Sequence, residues 1–97
     1  MRIVRLTIRG QVQGVGYRAF VEDEAMARGL KGWVRNRRDD SVEAVIAGKS
    51  QEVEAMIAAC HQGPRSARVD RVEIAEVDEN ALAVRRPGED FSMLPTA

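Results

Sequence analysis

A single cysteine, Cys60, cannot form an internal disulfide, and one thiol in the whole chain fits a reducing compartment. Neither sign of charge dominates. Fifteen basic residues balance fifteen acidic ones, so no global field draws the protein onto nucleic acid or an anionic membrane, and any anion site must be local. Long apolar runs are missing as well. Arg2 and Arg5 interrupt the first one, which excludes a secretory core, and no other is long enough to span a bilayer. A soluble cytoplasmic protein with no membrane partner is expected. With one histidine, His61, and one cysteine, the chain offers no cluster of metal ligands. The aromatics are Tyr17, Phe20, Trp33 and Phe91. None falls in the third strand, so the stacking platform of a small RNA-binding sheet is lacking, and no nucleic-acid partner is expected. A chain of 97 residues makes one domain, residues 1–97, and leaves no room for a second, cofactor-binding one.

What the chain does contain is a regular order of elements. Val4, Leu6 and Ile8 alternate with Arg5, Thr7 and Arg9, the period of a half-buried strand. Tyr17 to Arg28 reads as a helix with Phe20, Val21 and Ala25 on one side, a Glu24–Arg28 pair on its surface and Gly29 as its stop. Lys31 to Asn36 and Val42 to Ala47 form a hairpin around the polar run Arg37 to Asp40. In it Asp40 takes a left-handed position that glycine would relax, and Asp39 and Asp40 serve as counterions to Arg35, Arg37 and Arg38. Ser50 is read as the N-cap of a second helix, because Val53, Met56, Ile57 and Cys60 follow at i, i+3, i+4 and i+7. Met56 and Cys60 are then core, His61 a surface residue, and Trp33 a packing anchor at one edge of the sheet. Gly63-Pro64 ends the helix, Val69 to Val77 supplies a fourth strand, and either Leu82 to Val84 or Phe91 to Leu94 a short edge strand. The order βαββαβ predicts an α+β, ferredoxin-like sandwich: an antiparallel sheet with two helices on one face.

The stretch Gly10-Gln11-Val12-Gln13-Gly14-Val15-Gly16-Tyr17-Arg18 joins the first strand to the first helix. Glycines let several backbone N–H groups converge on one anion, and a helix N-terminus with Arg18 in its first turn adds positive charge at the same place. Gly14-Val15-Gly16-Tyr17-Arg18-Ala19 also satisfies a dinucleotide pattern, but the next strand ends in Asn36 rather than an acidic ribose partner and no second mononucleotide half follows. In the βαββαβ order the first two strands run the same way with one strand between them. The glycine loop and Asn36 therefore meet across ~10 Å, and Arg18 and Asn36 can face one small ligand.

Gly10 to Arg18, followed by Gly32-Trp33-Val34-Arg35-Asn36 and Ser41-Val42-Glu43, resembles the acylphosphatase family, and Gly63-Pro64 and Ala67-Arg68-Val69 extend the likeness. Two positions depart from it: Tyr17 stands where phenylalanine is commoner, and Asp39-Asp40-Ser41 where Asp-Gly-Ser is usual. The resemblance implies phosphate binding by Arg18 and the loop amides of Gln13, Gly14, Val15, Gly16 and Tyr17, with Asn36 positioning water. Arg18 and Asn36 are the expected catalytic pair. The residues agree with that implication, since a cradle, one arginine and one uncharged amide, with no nucleophile or metal cluster beside them, suit a substrate that is already activated. An acyl phosphate is one, because its carboxylate leaves readily and its loose transition state asks chiefly for positioning and charge stabilisation. Metal-free hydrolysis of a small-molecule acyl phosphate, by a monomer without cofactor, is the expected activity. A domain that binds such a ligand without turnover, as in larger carbamoyl-transferring proteins, is the regulatory alternative.

Overall fold

The alternation at the start of the chain becomes strand β1 (Arg2–Gln11) in the computed structural model, which describes residues 1–97. Helix α1 (Tyr17–Ala27), β2 (Lys31–Asn36), β3 (Val42–Gly48), α2 (Ser50–Gln62), β4 (Arg68–Glu76), a short 3₁₀ turn (Glu79–Leu82) and β5 (Phe91–Met93) follow. Both helices lie on one face of the sheet. Tyr17, Val21 and Ala25 of α1 and Val53, Met56, Ile57 and Cys60 of α2 pack on Val4, Leu6, Ile8, Val34, Val42, Ala44 and Ile46. This is the expected ferredoxin-like α+β sandwich.

The strand order is β4-β1-β3-β2-β5. The first four strands pair antiparallel, as expected, while β5 pairs parallel to β2 through Gly32–Phe91, Trp33–Ser92 and Val34–Met93. The sheet is therefore mixed, and Phe91–Met93 rather than Leu82–Val84 supplies its short edge strand. Leu82 instead closes the 3₁₀ turn, which covers part of the helix-free face. There Ile3, Trp33, Val45 and Ala47 pack against Leu82 and Leu94. Trp33 is anchored by its indole N–H, which donates to the Ala81 carbonyl at 2.6 Å. Trp33 does not sit at the sheet edge, because β5 lies outside it.

Local stops follow the physics of the chain. α1 ends in a Schellman arrangement: Gly29 is left-handed (φ 67°), its N–H donates to the Met26 carbonyl, and Leu30 N–H donates to the Ala25 carbonyl at 2.9 Å. Glu24 and Arg28 pair at 2.8 Å across one turn of the helix. Ser50 is not the cap of α2 but its first residue. The chain turns one residue earlier, and Lys49, extended at φ −63° and ψ 140°, takes the cap position without a side-chain hydrogen bond. Gly10 belongs to β1 rather than to the loop. A register shift between Arg9 and Gly10 brings β4 so close that a Cβ at Gly10 would lie 2.1 Å from the Arg68 carbonyl oxygen.

Pairing fixes where the loop and Asn36 meet. Val42 of β3 pairs with Ile8 of β1 on one side and with Asn36 of β2 on the other. The C-terminal ends of β1 and β2 thus reach the same end of the sheet, two strand spacings apart, or ~10 Å.

Candidate active site

Beyond Gln11 the chain leaves the sheet and turns into α1 through two left-handed glycines, Gly14 (φ 74°) and Gly16 (φ 80°). A Cβ at either would meet nothing within 4 Å, so glycine serves the backbone conformation here and not the available space. Gly16 caps α1 without a side chain. The first N–H groups of the helix have no intrahelical acceptor, and no N–H from Gln13 to Gly16 donates to a backbone carbonyl. A run of free donors therefore extends from the loop into the first turn, where the helix dipole adds partial positive charge.

Arg18 lies in that first turn, half-buried, and pairs with no carboxylate. Opposite it stands Asn36, the last residue of β2, whose Oδ1 is buried and receives no hydrogen bond. Gly14, Gly16, Tyr17, Arg18 and Asn36 line one cavity of about 150 Å³ together with Val12, Ala19 and Met93. A wider depression of about 620 Å³, lined in part by Lys31 and Lys49, lies at the opposite end of the sheet and holds none of the expected site residues.

Two of the expected phosphate-binding residues, Gln13 and Val15, do not line the cavity. The Gln13 side chain turns to the β2–β3 hairpin, where Nε2 donates to the carbonyls of Arg37 at 2.7 Å and Ser41 at 2.9 Å. Val15 is tied down through its carbonyl, which accepts from Ser66 Oγ at 2.9 Å. The Tyr17 hydroxyl is engaged elsewhere in the fold. It donates to the Cys60 carbonyl at 2.6 Å, binding the start of α1 to the last turn of α2. Burial, and then the adjoining Cys60, hold that hydroxyl protonated far above the ordinary phenol range. The tyrosine that departs from the commoner phenylalanine thus satisfies a carbonyl of the last helical turn, which has no intrahelical donor.

The hairpin beside Asn36 is held by its own polar groups. Asp39 Oδ1 accepts from Ser41 N–H at 3.1 Å and from Ser41 Oγ at 2.6 Å. These bonds, and then Arg9, hold the Asp39 carboxyl down at about 2. Asp40 is left-handed at φ 73°, as its place in the turn requires. The arginines find a different counterion from the expected one. Arg35 and Arg37 reach Glu43 at 2.8 and 3.3 Å, and Arg5 Nε lies 3.2 Å from its other oxygen without hydrogen-bond alignment. Asp39 pairs instead with Arg9 of β1 at 3.3 Å, and Asp40 with none. Neighbouring strands place Glu43 beside Arg35, whereas the Asp39 carboxylate is occupied by Ser41 and Arg9.

Met56 and Cys60 are buried in the core and His61 is exposed, as expected. Burial pushes the Cys60 thiol up to about 11, so it is no nucleophile at neutral pH. No group of three His, Cys, Asp or Glu side chains is placed to hold a metal ion. The residues that sequence reasoning missed are Val12, Ala19 and Met93 in the cavity wall and Ser66 behind Val15. Val12 lies within the glycine stretch and Ala19 directly after it, so both are findable by adjacency. Met93 comes from an aperiodic tail, and only its parallel pairing with Val34 carries it to the site.

Similarity to known proteins follows the same outline. The acylphosphatase family model matches residues 4–93. An acylphosphatase of Rhodopseudomonas palustris (strain BisB18) is 58% identical over 97% of this chain and 96% of its own length. One of Bradyrhizobium diazoefficiens is 56% identical over 97% and 95% of the two chains. Among solved structures, the acylphosphatase of Bacillus subtilis superimposes with a TM-score of 0.83 at 33% identity, covering 97% of this chain and 99% of that one. Full-length HypF in its phosphate- and nucleotide-bound form also reaches 0.83, at 27% identity, with 98% of this chain matching 12% of that larger one.

Proposed function

The chain belongs to the acylphosphatase family and is a hydrolase of that kind; from this premise we propose that Arg18, the loop amides and Asn36 carry out metal-free hydrolysis of acyl phosphates to a carboxylate and inorganic phosphate. Residues 1–97 act in this reading as one acylphosphatase-like domain, a monomer in the cytoplasm. The single buried thiol fits that setting, and no helix is long and apolar enough to cross a membrane.

The observation that carries the reading is the Asn36 amide oxygen, buried and without a donor on the wall of a cavity whose other side is Gly14, Gly16 and Arg18. Leaving such an acceptor unpaired costs about 1–3 kcal/mol, a cost that a donating ligand removes. A water that donates to Asn36 Oδ1 turns its lone pair toward a phosphoryl group held by the loop N–H groups and the Arg18 guanidinium. The oxygen–phosphorus bond forms as the bond from phosphorus to the acyl oxygen breaks, and the carboxylate leaves with the electron pair. Both water protons stay on the product, so an acyl phosphate dianion and water give a carboxylate and dihydrogen phosphate. Asn36 takes no proton, because an amide carbonyl accepts hydrogen bonds but is no strong base at neutral pH. A loose transition state needs little more than alignment and a fixed positive environment, which the cradle and Arg18 supply. A cavity of about 150 Å³ takes a phosphoryl group and a water but little of an acyl chain, so breadth toward the acyl part is expected.

Phosphate release from a synthetic aryl acyl phosphate, measured with EDTA present, tests this reading. Full activity with chelator, and none toward phosphate monoesters, is the expected result. Activity that disappears with EDTA and returns with a divalent ion means that the metal-free step is wrong.

A further inference from the structure

We propose that Gln13 is a positioning residue, which sets the separation between the phosphate cradle and Asn36 by bracing the loop against the β2–β3 hairpin. The inference rests on the acylphosphatase reading above. It gives the Gln13 side chain a role distinct from phosphate contact.

The two halves of the site stand on strands that do not touch. β3 lies between β1 and β2, so no backbone ladder bond links the cradle directly to Asn36. Gln13 spans that gap. It immediately precedes Gly14, the first left-handed residue of the cradle, and its Nε2 donates to the carbonyl of Arg37, the residue after Asn36, at 2.7 Å. The second bond of the same nitrogen, at 2.9 Å, goes to the Ser41 carbonyl, which also accepts from Arg37 N–H at 2.8 Å. Both hydrogens of the amide are thus spent on one closed turn, and neither is left to donate to a ligand. On its far side Asn36 is fixed independently, since its carbonyl accepts from Ala97 N–H and Arg38 N–H donates to the Ala97 carbonyl, each at 3.0 Å. The tail therefore holds Asn36 within the sheet, and Gln13 holds it relative to the phosphate.

A reaction governed by alignment is sensitive to such a brace, because a displacement of about 1 Å can cost ~10²-fold in rate. Gln13→Ala removes the brace, and Gln13→Met removes the amide and its two hydrogen bonds while keeping the length. In both, kcat is expected to fall between ~10- and ~100-fold. Competitive inhibition by inorganic phosphate should stay within about twofold of wild type, since the cradle keeps its amides and Arg18. Combined with Asn36→Ala, either change should add less than about twofold, because a residue that acts through Asn36 has nothing left to position. Thermal melts identify variants that remain folded, and Gln13→Met carries the test should Gln13→Ala not fold. A folded Gln13→Met with wild-type kcat overturns the inference. So does loss of phosphate inhibition in parallel with kcat, which would make the side chain a phosphate contact, and so does a fully multiplicative double variant. Wild-type turnover and its loss in Asn36→Ala test the hydrolysis reading separately. If both hold while the Gln13 variants leave kcat untouched, only the brace fails.

Discussion

Arg18 and Asn36 lie across one small cavity but differ in what they lack: the guanidinium has no counterion, the amide oxygen no donor. That difference separates their expected phenotypes. In the proposed reading Arg18 meets phosphoryl oxygens both before and during transfer, so Arg18→Ala should weaken phosphate inhibition and slow turnover together. By analogy with loss of one preorganised donor at a developing charge, the loss should be at least ~3 kcal/mol, or roughly a hundredfold. Arg18→Lys should recover little, since an ammonium cannot reproduce the planar fork. Near-normal kinetics in a folded Arg18→Ala would remove it from the site. In the same reading Asn36 acts mainly along the reaction path, so Asn36→Ala should lower kcat while inorganic phosphate inhibits as before. Steady-state kinetics with phosphate as competitor read both parameters. An Asn36→Ala enzyme that turns over like wild type, or loses phosphate inhibition as fully as Arg18→Ala does, contradicts this division of labour.

At the scale of elements, the cradle is only as well placed as the helix that carries it. The Tyr17 hydroxyl ties the first residue of α1 to the last turn of α2, and its ring packs on Phe20 with centroids 5.8 Å apart. Tyr17→Phe keeps the ring and leaves the Cys60 carbonyl without its donor. It should cost roughly 1–3 kcal/mol, and at ~4–8 °C per kcal/mol for a domain of this size a calorimetric or optical melt resolves the shift. Because the Tyr17 hydroxyl is spent on the Cys60 carbonyl, kcat should change little; a large fall in kcat at unchanged stability would give the hydroxyl a direct part in the chemistry. The hairpin offers a contrasting case. Asp40 sits left-handed at φ 73° without an ion pair, so Asp40→Gly relieves strain of up to about 1 kcal/mol, partly offset by the extra freedom of glycine in the unfolded chain. A small rise in melting temperature is expected, and a fall would mean that the aspartate side chain supports the turn.

Across the whole molecule, the two faces of the sheet are covered differently. α1 and α2 cover the central strands of one face and leave Ile74 on β4 half-exposed, while the 3₁₀ turn and the tail cover part of the other. Cys60 lies on the inner side of α2, fully buried, and reports on that cover. Its folded thiol titrates near 11 where a solvated one titrates near 9, so the stability it contributes is intact below about 9 and is lost as pH rises toward 11. Alkylation of the native protein at pH 8 should therefore be far slower than of the denatured protein, by a factor that tracks global stability. Reaction at the rate of a free thiol would mean that the helices open locally. A Cys60→Ala variant should show a shallower loss of stability above pH 9.

Much of this architecture was legible in the chain, because it depends on periodicity and on residues with narrow conformational roles. The alternation of Val4, Leu6 and Ile8, the helical spacing of Val53, Met56, Ile57 and Cys60, the stop at Gly29 and the left-handed Asp40 each follow from local physics that the fold then obeys. The juxtaposition of the glycine loop with Asn36 was legible too, since βαββαβ order dictates which strand ends coincide. Local pattern could not decide where side chains with several possible partners would bond. Glu43 rather than Asp39 or Asp40 became the counterion of Arg35 and Arg37 because antiparallel register set it beside them. Gln13 turned away from the cavity because two hairpin carbonyls lay within reach of its amide. Gly10 proved to serve the close approach of β4, and Met93 entered the cavity wall through a parallel pairing that no periodicity announces. The sequence by itself determined the two helices, the four long strands, their order and the strand ends that bring Arg18 and Asn36 to one cavity. Which groups brace them was decided only by packing, since hydrogen bonds and ion pairs between distant segments depend on distances that exist only after the sheet has formed.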